Sequence, residues 1–150
     1  MGGDQLLPKL TELDHDSALA VRMTARRAEI FKTDHLSTLH TFAGAHKLLA
    51  RCKHEGLTLV IAPSSGAGHL REMLEKTGLD DLVERTTSSS DAEHSKPSPD
   101  IIEAALATSG LGSDAALMLG DTPHEIEAAS RAVVAMVAVR CGGWQPSRTR

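Results

Sequence analysis

Asp121 follows a short apolar run, residues 116–119 (Ala-Leu-Met-Leu), and a glycine, Gly120, and it precedes Thr122-Pro123-His124-Glu125. A carboxylate in that position sits where a strand ends and a helix begins. Backbone N–H groups converge at such junctions and favour anions, so an acid there opposes a bound phosphate unless a divalent cation stands between them. Asp121 therefore reads either as a Mg²⁺ ligand or as a turn residue accepting backbone hydrogen bonds. Glu125, four residues on, reads either as a second acid at the metal or as the far half of a capping box with Thr122.

Lys96 lies just before Pro97 and a helix start, where an ammonium can hold a phosphate, balance an acidic site or simply be solvated. Ser64, Ser65, Gly66 and Gly68 follow a β-rich run and can present hydroxyls and N–H groups to an anion; a helix-entry loop has the same composition. The eight histidines, at 15, 35, 40, 46, 54, 69, 94 and 124, form no i, i+4 helical pair and no cluster with cysteine, so they read as scattered surface residues. Cys52 and Cys141 sit in no metal-binding or redox spacing; two reduced thiols are the reading, with a disulfide as the alternative.

The elements that must position these groups follow from periodicity and punctuation. Residues 1–17 read as loop because of Gly2, Gly3 and Pro8, and residues 18–40 as polar and helix-prone. Ala45, Leu48, Leu49 and Cys52 have helical spacing ahead of a stop at Gly56. After that, strand-like runs at 57–62, 82–87 (a short edge strand), 116–119 and 133–139 alternate with helices through Leu70, Met73 and Leu74, through Ile101, Ile102, Ala105 and Leu106, and from Pro123 onward. Alternation of that kind predicts an α/β fold with a parallel sheet, the runs at 116–119 and 133–139 being buried strands. Residues 142–150 read as a polar, basic tail, and no internal repeat is present.

At 150 residues the chain fits one domain with a real core. Sixteen Lys and Arg against 20 Asp and Glu give a net charge of −4, which argues against a nucleic-acid binder. Phe31, Phe42 and Trp144 are the only aromatic residues, too few for base-stacking platforms. No signal-peptide pattern, myristoylation motif or membrane-length apolar run is present, which predicts a soluble, cytoplasmic protein without a membrane partner.

Taken together, a strand ending in Ser/Gly, then Ser-Lys-Pro-Ser-Pro-Asp at 95–100, then strand-Gly-Asp-Thr-Pro-x-Glu-Ile-Glu-Ala-Ala up to residue 129, resembles the haloacid dehalogenase-like hydrolases, in particular their phosphoglycolate phosphatase and β-phosphoglucomutase group. The resemblance covers residues 1–144. It implies a Rossmann-like three-layer sandwich with a parallel sheet, and a helical cap that closes over a small phosphorylated substrate. Residues 1–42 would be part of that cap, 43–144 the α/β core and 145–150 the tail.

The resemblance also implies site roles: Lys96 neutralising the phosphate and the nucleophilic aspartate, Asp121 and Glu125 at Mg²⁺, and Ser64 and Ser65 near the phosphate. The family expects Ser or Thr immediately after the second strand, where Pro63 stands; Ser64 serves if the loop shifts by a residue. Glu125 is a methylene longer than the commoner Asp. The family's nucleophile is the first aspartate of a strand-borne Asp-x-Asp motif. Asp14-His15-Asp16 has that spacing, but no apolar strand precedes it. The expectation is therefore a chain that begins inside the cap and lacks the first core strand with its catalytic pair. Such a sheet keeps unpaired edges and is prone to self-association.

Overall fold

A computed structural model describes residues 3–14, 16–63, 67–87 and 91–143. His15, Ser64, Ser65, Gly66 and the stretch 144–150, with Trp144 and the expected tail, lie outside the described residues.

The chain opens with helix α1 (Gly3–Thr11), where glycine and proline punctuation led to the expectation of loop. Pro8 lacks an N–H, but its carbonyl accepts the Glu12 N–H at 2.9 Å, so the hydrogen-bond ladder continues beyond it. Leu6, Leu7, Lys9 and Leu10 are good helix formers and carry the turn. Helix α2 (Ala18–Ile30) starts at Ser17, whose hydroxyl caps the Ala20 N–H at 3.3 Å. Asp14 and Asp16 belong to the turn ahead of this cap: the Asp16 N–H donates to the Asp14 carboxylate at 3.3 Å and the Ser17 N–H to the Asp14 carbonyl at 3.0 Å. No strand leads into them.

Beyond Ile30 the helix widens into a π turn (Phe31–His35) and then tightens into a 3₁₀ turn (Leu36–Thr38). Lys32 Nζ in the π turn donates to Glu72 Oε1 at 2.5 Å, tying the N-terminal helices to the later helix that carries Glu72. Helix α3 (Ala45–His54) follows Gly44, whose φ of +86° makes glycine the natural residue there.

From this point strands and helices alternate: β1 (Val60–Ile61), α4 (Ala67–Thr77), β2 (Arg85–Thr86), α5 (Asp100–Ser109), β3 (Leu117–Gly120), α6 (Pro123–Arg131) and β4 (Ala135–Ala138). All pairing is parallel, as the alternation predicts. Val60 and Ile61 register with Arg85 and Thr86, and Leu117 through Gly120 with Ala135 through Ala138. Among the described residues these make two separate two-stranded ladders, β1–β2 and β3–β4. Each strand is thus paired along one edge only, and the strands are shorter than the apolar runs that contain them.

The core is formed by Ile101 and Ile102 of α5, Ala128 and Ala129 of α6, and Ala132 and Val134. Ala128 and Ala129 have no exposed surface, so α6 lies flush on its neighbours. Met118 and Met136 pack onto this core from β3 and β4. The opposite face of the same ladder is open: Leu117 is 67% exposed, and Leu119 and Val137 are about half exposed. The expectation of fully buried strands at 116–119 and 133–139 is corrected accordingly, because the described residues cover one face of this ladder and leave the other to solvent.

Candidate functional site

Lys96 organises the site. It lies in the 94–99 loop before α5, with only 5% of its surface exposed, and buried ammonium groups are tolerated only when paired and hydrogen-bonded. Its Nζ donates to the Ala62 carbonyl at 3.0 Å and to Glu125 Oε1 at 2.9 Å. Ala62 directly follows β1, and Glu125 lies in the first turn of the helix that follows β3. Lys96 therefore bridges the C-terminal ends of two strands that share no hydrogen bond.

Glu125 is held on its other side as well. Its Oε2 accepts the Asp121 N–H at 2.9 Å and the Thr122 N–H at 3.1 Å, while the Thr122 hydroxyl accepts the Glu125 N–H at 3.3 Å. That is a complete capping box with Pro123 at the first helical position. Gly120 makes room for it: a Cβ there would fall 2.7 Å from Glu125 Oε2 and 2.8 Å from the Met136 methyl. Burial opposes the Glu125 charge, but the Lys96 hydrogen bond and the Asp121 and Thr122 N–H groups outweigh it, so the carboxyl titrates below its ordinary value.

Both Glu125 oxygens are thereby engaged, one by an ammonium and one by backbone. Asp121 differs: its carboxylate takes part in no ion pair among the described residues, and its Oδ2 accepts only a weak thiol hydrogen bond from Cys141 at 3.6 Å. Cys52 and Cys141 are both free thiols. Among the described residues no three His, Cys, Asp or Glu side chains cluster closely enough to form a complete metal cage. A single half-buried carboxylate at a strand end still suits Mg²⁺, which keeps several waters and is commonly held by one or two carboxylates together with substrate phosphate.

Of the residues singled out from sequence, Lys96, Asp121 and Glu125 thus come together, while Ser64 and Ser65 lie outside the described residues. Sequence reasoning missed the Ala62 carbonyl, the Cys141 thiol and the role of Asp100. The Asp100 carboxylate accepts the His94 N–H at 2.8 Å and the Ser98 hydroxyl, and lies 3.2 Å from His94 Nδ1. The Ser98 hydroxyl foremost, and then the His94 groups, hold its pKa down at about 2 against partial burial. The available signal was the run Ser-Pro-Asp at a helix start. No helix among the described residues is long and apolar enough to cross a membrane.

Comparison with known proteins places the chain in a family. The model of the haloacid dehalogenase-like hydrolase family matches residues 3–139. A phosphoglycolate phosphatase from Rhodospirillum rubrum is 30% identical over 127 residues, covering 85% of this chain and 52% of the relative. A pyrophosphatase from Oceanobacillus iheyensis is 26% identical over 137 residues, covering 91% of this chain and 63% of the relative. The crystal structure of a hydrolase from Pseudomonas syringae superposes with a TM-score of 0.86 at 26% identity, over 97% of this chain and 67% of that one. The chain thus spans about half to two thirds of the length of these curated relatives. On the family match over residues 3–139 and the parallel α/β fold shared with that hydrolase, the chain belongs to the haloacid dehalogenase-like hydrolases.

Proposed function

We propose that this chain provides the phosphate-handling half of a Mg²⁺-dependent phosphatase acting on a small phosphorylated metabolite. The observation that carries the reading is the buried Lys96 ammonium, fixed between Ala62 and Glu125, with the Glu125 carboxylate also accepting the backbone N–H of Asp121, whose own carboxylate is less encumbered. Lysine has three N–H donors, two of which are committed among the described residues, and the third would serve a phosphate oxygen. In this reading Glu125 sets the position of Lys96 and of the Asp121 backbone, and Asp121 is the principal protein ligand for the cation. A divalent cation at Asp121 would supply charge neutralisation of phosphate oxygens. Ser64 and Ser65 would add donors from the loop after β1, and residues 1–42 would form the cap-side wall.

A second reading has its own observation. The only Asp-x-Asp spacing in the sequence is Asp14 and Asp16, and both sit in the turn that precedes α2 rather than at a strand end. A phosphatase of this family therefore needs its nucleophile from a polypeptide segment other than these 150 residues, and without one the chain is a non-catalytic binding module. Hydrolysis of p-nitrophenyl phosphate by the protein purified from its native source, together with any further segment or partner that it carries there, separates the two. Phosphate release that requires Mg²⁺ and disappears in Asp121→Asn is expected of the phosphatase. A folded chain that releases none, yet binds inorganic phosphate in the presence of Mg²⁺, is expected of the binding module.

A further inference from the structure

The loop that delivers Lys96 to the interior has little internal structure of its own. Residues 94–99 contain Pro97 and Pro99, which donate no backbone hydrogen bond, and within the loop the Ser98 N–H reaches the Ser95 carbonyl at 3.1 Å. What closes the loop is a side chain beyond its end. Asp100 opens α5, and the preceding helix-cap position is Pro99, which has no side-chain acceptor. The Asp100 carboxylate reaches back over the loop instead. One oxygen takes the His94 N–H at 2.8 Å and the other takes the Ser98 hydroxyl, so a single carboxylate grips both ends of the segment with Lys96 between them.

The grip is anchored from below, since the next two residues, Ile101 and Ile102, are buried in the core. The first turn of α5 also favours a negative charge at that point. An ammonium prefers water to a protein interior, so a loop free to flex would let Lys96 swing outward. We infer that Asp100 is a positioning residue that acts through the His94–Ser98 loop to hold the Lys96 ammonium against Ala62 and Glu125. A carboxylate that merely stabilised the start of α5 would leave Lys96 in place when removed; a staple would not.

The inference deepens the phosphatase reading by naming what aims its phosphate-facing cation, but it rests on geometry that needs neither activity nor metal. Its test is the ¹H–¹⁵N spectrum of lysine side-chain ammonium groups in the ¹⁵N-labelled chain in mildly acidic buffer. A buried, hydrogen-bonded ammonium exchanges slowly with water, and the Lys96 signal is assigned by its loss in Lys96→Met. Asp100→Asn is expected to accelerate exchange at Lys96 at least about tenfold or to abolish the signal. Ala107→Gly, which weakens the same helix at an exposed position, is expected to leave it unchanged, and Asp100→Glu to restore it in part. An unchanged Lys96 signal in a folded Asp100→Asn chain overturns the inference. If that variant does not fold, Ser98→Ala decides: exchange faster by about threefold or more supports the staple, and unchanged exchange overturns it. A chain without phosphatase activity gives the same spectra, so failure of the functional reading is not mistaken for failure of this one.

Discussion

Lys96 and Glu125 lie 29 residues apart in sequence and 2.9 Å apart in space, and neither is comfortable without the other. Replacing the ammonium by an isosteric apolar chain, Lys96→Met, leaves a half-buried carboxylate supported by two backbone N–H groups alone. The expected cost is about 3 kcal/mol by urea denaturation, as for breaking one side of a buried pair. The double variant Lys96→Met/Glu125→Gln is expected to fall short of the sum of the single changes by about 1 kcal/mol or more, because the unpaired charge is gone. Asp100 gives a pH signature instead. Its carboxyl has a pKa of about 2 in the folded chain against an ordinary 3.8, so its contribution is fully present above the ordinary value and is lost as pH falls through about 2. Water screens this partly exposed group, so about 1 kcal/mol is at stake. Acid titration of stability should be flatter between pH 4 and 2 in Asp100→Asn than in the parent chain. The sequence made Thr122 and Glu125 legible as a capping box because their partnership is local, three residues along one helix start. The Lys96–Glu125 bond depends on two strand ends meeting in space, which spacing alone does not encode; the Asp100 grip was hidden because a loop carboxylate has too many equivalent readings.

Helix α6 illustrates how an element can be well started and poorly finished. Its N-terminus has a hydroxyl cap, a returning glutamate and a proline at the first position. At its C-terminus the Val134 N–H reaches the Ala129 carbonyl at 2.9 Å and the Val133 N–H the Ser130 carbonyl at 3.2 Å, which is a Schellman closure. That closure puts Val133 at φ +56°, a left-handed conformation that β-branched residues strongly disfavour. Val133 is 77% exposed, so little burial compensates for the strain. Val133→Gly is expected to stabilise the chain by about 0.5–1 kcal/mol, the relief of the left-handed penalty less the extra backbone entropy of glycine. A thermal melt should shift upward by about 2 °C, and an unchanged or lower midpoint would count against the strain. No end of α6 was legible in the sequence, and the valines that follow it read as strand throughout, because β-branched residues signal strand wherever they occur. In α1 the opposite happened: Pro8 was read as a breaker, whereas its carbonyl still serves the ladder.

Over the whole molecule the parallel α/β organisation was legible from alternation alone, whereas the extent of each strand was not. Strand length depends on having neighbours, and each of these strands has one among the described residues. Among the described residues no strand pairs with the other edges of β1 and β3, and such edges invite pairing. Proteins commonly protect an edge with lysine or proline. Pro63 stands close behind β1, but β3 is Leu-Met-Leu-Gly with neither, and Leu117 and Leu119 project from it on the open face. Self-association through the β3 edge and this apolar face is therefore expected of the purified chain. Sedimentation velocity should show a weight-average mass that rises with concentration above the 15.9 kDa of the monomer. Leu119→Lys, which places an ammonium on that face without touching the Met118–Met136 side that packs on α5 and α6, is expected to return the mass toward the monomer while leaving the thermal midpoint within about a degree, as for surface changes remote from the core. A parent chain that stays monomeric throughout would mean that the open edge is covered from within, and an association that survives Leu119→Lys would move the contact to β1 or to the exposed leucines of α1 and α2.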